Sequence, residues 1–211
     1  MKLLLTSQGI TTRELAEALS SLVGKSPYDT KIGLIPVARN VEPFKRGGYI
    51  GQFLDLWKNG FSDIDIVDPT AADVDWKSRL RDVDVIYVAG GNTFHLLNQV
   101  RKTGFGKWLN ENMKNKVYVG VSAGTILATP TIEVANIPPR DQNFMNLKDL
   151  TGLNWADFEI EPHCNKDRFA VVEKYAAKKS YPVYAIDDLS GIKVDGDKVE
   201  VISAGTSQRY N

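Results

Sequence analysis

Short apolar runs alternate with longer amphipathic stretches through the first half of the chain. KLLLTS reads as a strand, and in the following TTRELAEALSSLVG the residues Leu15, Ala18, Leu19 and Leu22 recur at helical spacing before Gly24. KIGLIPVA is a second buried strand. PFKRGGYIGQFLDLWKNG reads as a helix across Phe53, Leu54 and Trp57, ended by Gly60. DIDIVD and DVDVIYVAGG are strands three and four. NTFHLLNQVRKTG is a helix that Gly104 separates from a second piece, GKWLNENMKN, and KVYVGVS is strand five. This alternation predicts an α/β fold in three layers, a mainly parallel sheet with helices on both faces. Sites in such sheets form at the carboxyl ends of the strands, where the AGGNTF and GVSAG turns fall.

The pattern is less regular past residue 130. TIEVANIPPRDQNF reads as a proline-rich loop, DFEIEPH as a strand leading into a loop, and KDRFAVVEKYAAKKS as a helix. YPVYAIDD, SGIKVDG and DKVEVISAG read as strands, the last two forming a hairpin across VDGD. No repeat, linker or low-complexity segment divides the chain, so a single domain over residues 1–211 is expected.

Composition changes the picture little. Hydrophobic residues at 43% and charged residues at 25% suit a globular chain with one core. Lys plus Arg equals Asp plus Glu at 26 each, so no net field points to nucleic acid or an anionic membrane. One cysteine, Cys164, excludes an intrachain disulfide. The opening MKLLLTSQG has a shorter apolar run than the ~7–15 residues of a secretory leader. No run approaches the ~18 apolar residues of a membrane helix. A cytoplasmic protein is expected.

The chemistry concentrates in GVSAG, residues 120–124, which fits G-x-S-x-G. Small neighbours let the backbone turn sharply from strand to helix, so that the Ser122 hydroxyl stands at the sheet edge. The N–H of Ala123 then points at the same spot and suits an oxyanion. A structural glycine turn gives the same letters. AGGNTFHLL, residues 89–97, adds paired glycines at the end of the preceding strand, and the Gly91 N–H is the candidate second oxyanion donor. GGNT lacks the Gly-Lys-Ser/Thr of a phosphate-binding P-loop. Asn92 and Thr93 either line the site or cap the following helix.

Serine needs a base at neutral pH, and the chain has two histidines. His95 lies within a helix as a surface or packed residue. His163, in EIEPHCNKD, follows a strand and a proline and stands where a base belongs. YAIDDLSG, residues 184–191, places Asp187 and Asp188 after a buried strand, where an acid can orient an imidazole.

GGNTFHLL, GVSAGTILATPTI and the later Pro162–His163 together resemble the peptidase E family, which includes cyanophycinases. The resemblance implies a flavodoxin-like, class I glutamine-amidotransferase-like fold and a serine hydrolase with the chain order Ser, His, acid. It also implies no metal or organic cofactor and a small peptide substrate, in peptidase E a dipeptide with N-terminal aspartate. Carried onto this chain, Ser122 matches the nucleophile, His163 the base, and the N–H groups of Gly91 and Ala123 the oxyanion hole. Asp188 is the favoured acid, with Asp187 as the alternative. Ile137 stands where an earlier acid would be expected. Lys166 and Arg168 are candidate anion contacts, although neither matches a family arginine that would hold a substrate carboxylate. No nucleic acid or membrane partner is implied, and a homodimer is left open.

Two other readings compete. An esterase of the α/β-hydrolase type shares G-x-S-x-G but runs Ser, acid, His, against the order here. A binding or sensor module would keep the fold with the triad vestigial. A thiol enzyme built on Cys164 is disfavoured, because neighbours on an extended segment point to opposite faces.

Overall fold

A computed structural model describes residues 1–43, 47–139 and 141–211. The strands are β1 (Lys2–Thr6), β2 (Lys31–Ile35), β3 (Asp63–Ile66), β4 (Val85–Val88), β5 (Val117–Val121), β6 (Glu159–Glu161), β7 (Val183–Ile186), β8 (Ser190–Asp195), β9 (Lys198–Ser203) and β10 (Ser207–Tyr210). The helices are α1 (Arg13–Val23), α2 (Gly47–Lys58), α3 (Trp76–Arg79), α4 (Thr93–Lys102), α5 (Phe105–Asn112), α6 (Ala123–Leu127) and α7 (Lys166–Ala176). The expected start of the α2 segment falls partly on Phe44–Arg46, outside the described residues, as does Arg140 of the proline-rich loop.

The main sheet has the order β3-β2-β4-β5-β1-β8-β9. The strands from β3 to β1 are parallel, and β8 and β9 add an antiparallel hairpin beside β1. Successive residues of the inner strands enter opposite cores. Leu3 and Leu5 join one cluster and Leu4 the other; Ile86 and Val88 join the first, Val85 and Tyr87 the second. Burial on both faces is why these segments read as continuous apolar runs. The face holding α1 and α2 is packed by Leu15, Leu19, Leu22 and Leu56, and the opposite face by residues of α4, α5 and α6. Complete burial of each such leucine is worth about 1.5–3 kcal/mol. The expected three-layer α/β fold is the one observed.

Two details differ from the pattern. The stripe expected of α2 is turned: Leu54 and Trp57 face out, 48% and 68% exposed, whereas Gln52 and Leu56 face in. The final segment, for which the pattern predicts no element, is β10, paired antiparallel with β7 in a small sheet ordered β10-β7-β6. Its polar sequence SQRY hides the strand, because the pairing uses only the backbone. In the same sheet β6 and β7 are parallel, and α7 crosses between them. Phe169, Val172 and Ala176 of α7 pack on Val183, Ala185 and Cys164. This unit carries His163 past the end of β6 and Asp187 and Asp188 past the end of β7, towards the turn that follows β5.

Candidate active site

The turn after β5 is built by close approach. Ser122 has φ 49° and ψ −108°, a backbone state that non-glycine residues occupy only under restraint. Its N–H donates to the Thr6 carbonyl at 3.0 Å. The Thr125 hydroxyl donates to the same carbonyl at 2.7 Å, and the Tyr118 hydroxyl to the Gly124 carbonyl at 2.7 Å. A Cβ on Gly124 would lie 2.2 Å from the Val88 carbonyl oxygen, and one on Gly120 would lie 2.7 Å from the Gly124 oxygen. The two glycines flanking the serine are therefore demanded by the packing of α6 onto β4 and β5. A Cβ on Gly90 would lie 3.0 Å from Ser122 Cβ, which puts the end of β4 directly against the serine. Gly91, at φ 146°, tucks under Ala38, leaving no room for a side chain. Ala123 opens α6, so its N–H has no acceptor within the helix.

His163 Nε2 lies 2.9 Å from Ser122 Oγ, and His163 Nδ1 lies 2.6 Å from Asp188 Oδ1. An ionised carboxylate only accepts, so Nδ1 carries the proton and Nε2 is free to accept from the serine hydroxyl. The hydrogen bond from His163 holds the Asp188 carboxyl below its ordinary range; partial burial works against it, and a second hydrogen bond, from Ser7, reinforces it. Asp187 points elsewhere. Its Oδ1 accepts from the Leu189 N–H at 3.0 Å and the Ser190 hydroxyl at 2.6 Å, and its Oδ2 from the Thr206 N–H at 2.5 Å. The two adjacent aspartates thus divide, one facing the histidine and one closing the turn between β7, β8 and β10.

A cavity of about 250 Å³ opens beside the serine, lined among others by Thr93, Ser122, Asp141, Glu161, His163 and Arg168. Thr93 lines it through a buried side chain, and its N–H donates to Asp141 Oδ2 at 2.7 Å. Asn92 acts as a helix cap: its Oδ1 accepts from the His95 N–H at 2.8 Å, and its Nδ2 donates to the Gln142 carbonyl at 3.0 Å. Arg168 is taken up by the protein. Its Nε donates to Glu161 Oε1 at 2.6 Å, and its other nitrogens reach the same carboxylate and the carbonyls of Ile137 and Pro138. Burial pushes the Glu161 carboxyl up to about 7 although Arg168 opposes it. Lys166 sits at the exposed first turn of α7. Burial pushes the Cys164 thiol up to about 12, which leaves little thiolate at neutral pH. His95 is packed inside α4, and burial lowers the affinity of its ring for a proton.

Sequence reasoning missed Ser7. Ser7 follows β1 directly, at a carboxyl end of the parallel sheet, and that position was its available signal. Among the described residues, no helix is long and apolar enough to cross a membrane, and no group of three or more His, Cys, Asp or Glu could hold a metal ion.

Sheet and serine turn together define a serine hydrolase of the α/β class. A model of peptidase family S51 matches residues 3–202, and the chain belongs to that family of serine-type peptidases. An uncharacterized peptidase of Pasteurella multocida is 31% identical over 79% of this chain and 82% of its own length. A peptidase E of Shewanella denitrificans is 30% identical over 68% of this chain and 64% of its own length. The crystal structure of a putative peptidase E protein from Listeria monocytogenes superimposes with a TM-score of 0.80 at 26% identity, covering 97% of this chain and 98% of that one.

Proposed function

We propose that this peptidase hydrolyses short peptides by acyl transfer to Ser122, with His163 as the base and Asp188 as its acid partner. The observation that carries the reading is the hydrogen-bonded line from Asp188 Oδ1 through the imidazole to Ser122 Oγ, at 2.6 and 2.9 Å. As Oγ attacks the scissile carbonyl carbon, its proton passes to His163 Nε2. Asp188 keeps the imidazole in the required tautomer and stabilises the imidazolium. The N–H groups of Ala123 and Gly91 receive the oxyanion, where one such donor is worth about 2.7–4 kcal/mol. The C–N bond then breaks as His163 returns the proton to the leaving amine. Water, activated by the same nitrogen, attacks the ester carbonyl, and the regained proton restores Ser122.

The cavity bears on which peptides enter. Arg168 is the permanent cation among the described lining residues, and Glu161 and two carbonyls already hold it. That arrangement argues against Arg168 as the contact for an N-terminal aspartate side chain. Among the described residues the Asp141 carboxylate accepts one bond, from the Thr93 N–H, and its remaining acceptor capacity suits the ammonium of a free peptide N-terminus.

A panel of dipeptides and tripeptides, free and N-acetylated, incubated with wild type and with Ser122→Ala and read by mass spectrometry, tests both points. Loss of free peptides with wild type alone is expected. Cleavage by Ser122→Ala at the wild-type rate would end the mechanism. Equal cleavage of acetylated peptides would end the Asp141 assignment, and cleavage confined to N-terminal aspartate would overturn the reading of Arg168 as unavailable to a substrate carboxylate.

A further inference from the structure

The site contains a second serine whose hydroxyl faces the histidine and the acid rather than the cavity. Ser7 is completely buried. Its Oγ donates to Asp188 Oδ1 at 2.7 Å and accepts from the His163 backbone N–H at 2.8 Å. It also lies 3.3 Å from His163 Nδ1. Ser7 itself is fixed, since its N–H donates to the Ser190 carbonyl at 3.2 Å. It stands one residue past β1 and bonds to residues that follow β6 and β7.

We infer that Ser7 is a positioning residue for the hydrolytic reaction, acting through Asp188 and His163; this rests on the mechanism proposed above. Two features of the geometry carry it. First, Ser7 and His163 Nδ1–H place their protons on the same oxygen, Asp188 Oδ1. With side-chain exposures of 54% for Asp188 and 44% for His163, neither partner is held by packing alone. The donor from the buried strand end selects the carboxylate rotamer that presents Oδ1 to the imidazole. Second, His163 has φ 58°, a left-handed backbone state uncommon for a non-glycine residue. The bond from its N–H to Ser7 Oγ ties that backbone to β1. One hydroxyl thus orients the base by its main chain and the acid by its side chain. Among the described residues the Ser7 hydroxyl bonds to Asp188 and His163 and not to the Ser122 hydroxyl, so its effect passes through the pair.

The test uses the full chain and a fluorophosphonate probe, which phosphonylates an activated serine with loss of fluoride. Rates of labelling are measured for wild type, Ser7→Ala, Ser7→Thr, Asp188→Asn and the double variant Ser7→Ala/Asp188→Asn, with thermal unfolding run alongside. Loss of a hydrogen bond to a charged group predicts labelling slowed by about tenfold to hundredfold in Ser7→Ala, with Tm changed by only a few degrees. Ser7→Thr keeps the hydroxyl and is expected to label faster than Ser7→Ala. In the Asp188→Asn background, loss of the Ser7 hydroxyl is expected to have a much smaller effect, because the partner it orients is gone. The far-downfield proton resonance of the His163 to Asp188 hydrogen bond is expected to shift in Ser7→Ala. Labelling of Ser7→Ala within twofold of wild type would overturn the inference. So would a slowing that is undiminished in the Asp188→Asn background, or a Ser7→Thr rate no better than that of Ser7→Ala. If Ser122→Ala is labelled as fast as wild type, the mechanism itself fails; if it is unlabelled while Ser7→Ala is unaffected, only the role of Ser7 falls.

Discussion

The turn that carries the serine and the turn that carries the acid are made by different forces. Around Ser122 the backbone is held by close approach: Gly120 and Gly124 leave no space for a methyl group, and the serine N–H is bonded to the carbonyl of Thr6 on the adjoining strand. Around Asp188 the restraints are hydrogen bonds on a half-exposed chain. Ser7 holds its carboxylate, the Thr11 hydroxyl donates to its carbonyl at 2.8 Å, and Asp187 closes the turn from the other side. Steric packing is dense and intolerant of added atoms. A hydrogen-bonded turn can lose one partner and keep its fold. Changes at the serine turn should therefore register in stability, and a change at Asp188 mainly in rate.

The largest expected effect is on rate. Asp188→Asn should lower kcat by about 10⁴ by favouring the wrong imidazole tautomer, with a melting temperature near wild type. A kcat within tenfold of wild type would show that another group serves as the acid. Next in size, Gly124→Ala should destabilise the fold by about 3 kcal/mol, a fall in Tm of roughly 6–12 °C for a chain of this length. An unchanged Tm would mean that the serine turn yields as easily as the acid turn. Asp187→Asn should then separate the two aspartates. Its amide sets a donor against the Thr206 N–H, a loss of about 1–3 kcal/mol, while kcat falls by less than for Asp188→Asn.

The smallest effect concerns pH. Burial raises the Glu161 carboxyl to about 7 in the folded chain, above its ordinary 4.5. A group raised on folding stabilises most below the unfolded value, and its contribution fades as pH rises through the folded one. Stability from Glu161 is thus expected to decline between pH 4.5 and 7, and chemical denaturation of Glu161→Gln should be flatter across that window. Asp188 works in the opposite sense. The bond from His163 lowers its carboxyl, so its contribution is present above the unfolded value and disappears as the pH falls below the ordinary carboxylate range.

The same contrast accounts for what could be read from the chain. The parallel strands were legible because burial on both faces writes continuous apolar runs. α1 was legible because its buried leucines follow helical spacing. In α2 the polar Gln52 is buried while Trp57 is exposed, so its inward face could not be inferred from hydrophobicity. β10 was hidden because backbone pairing leaves no mark on SQRY. At the site, Ser122 announced itself through its glycines, which sterics require. The adjacent aspartates are alike in type, and only the family resemblance favoured Asp188; the direction of each side chain separates them. Ser7 was missed because its one signal, a place directly after β1, does not show what it serves until the distant histidine and acid are folded onto it.

The central claim is that Ser122 is an activated nucleophile. It is tested most directly by treating the protein with a fluorophosphonate, digesting it and mapping the adduct by mass spectrometry. The account predicts one adduct, on Ser122, absent in Ser122→Ala and formed far more slowly in His163→Ala. No adduct, an adduct on another residue, or labelling indifferent to His163 would contradict it.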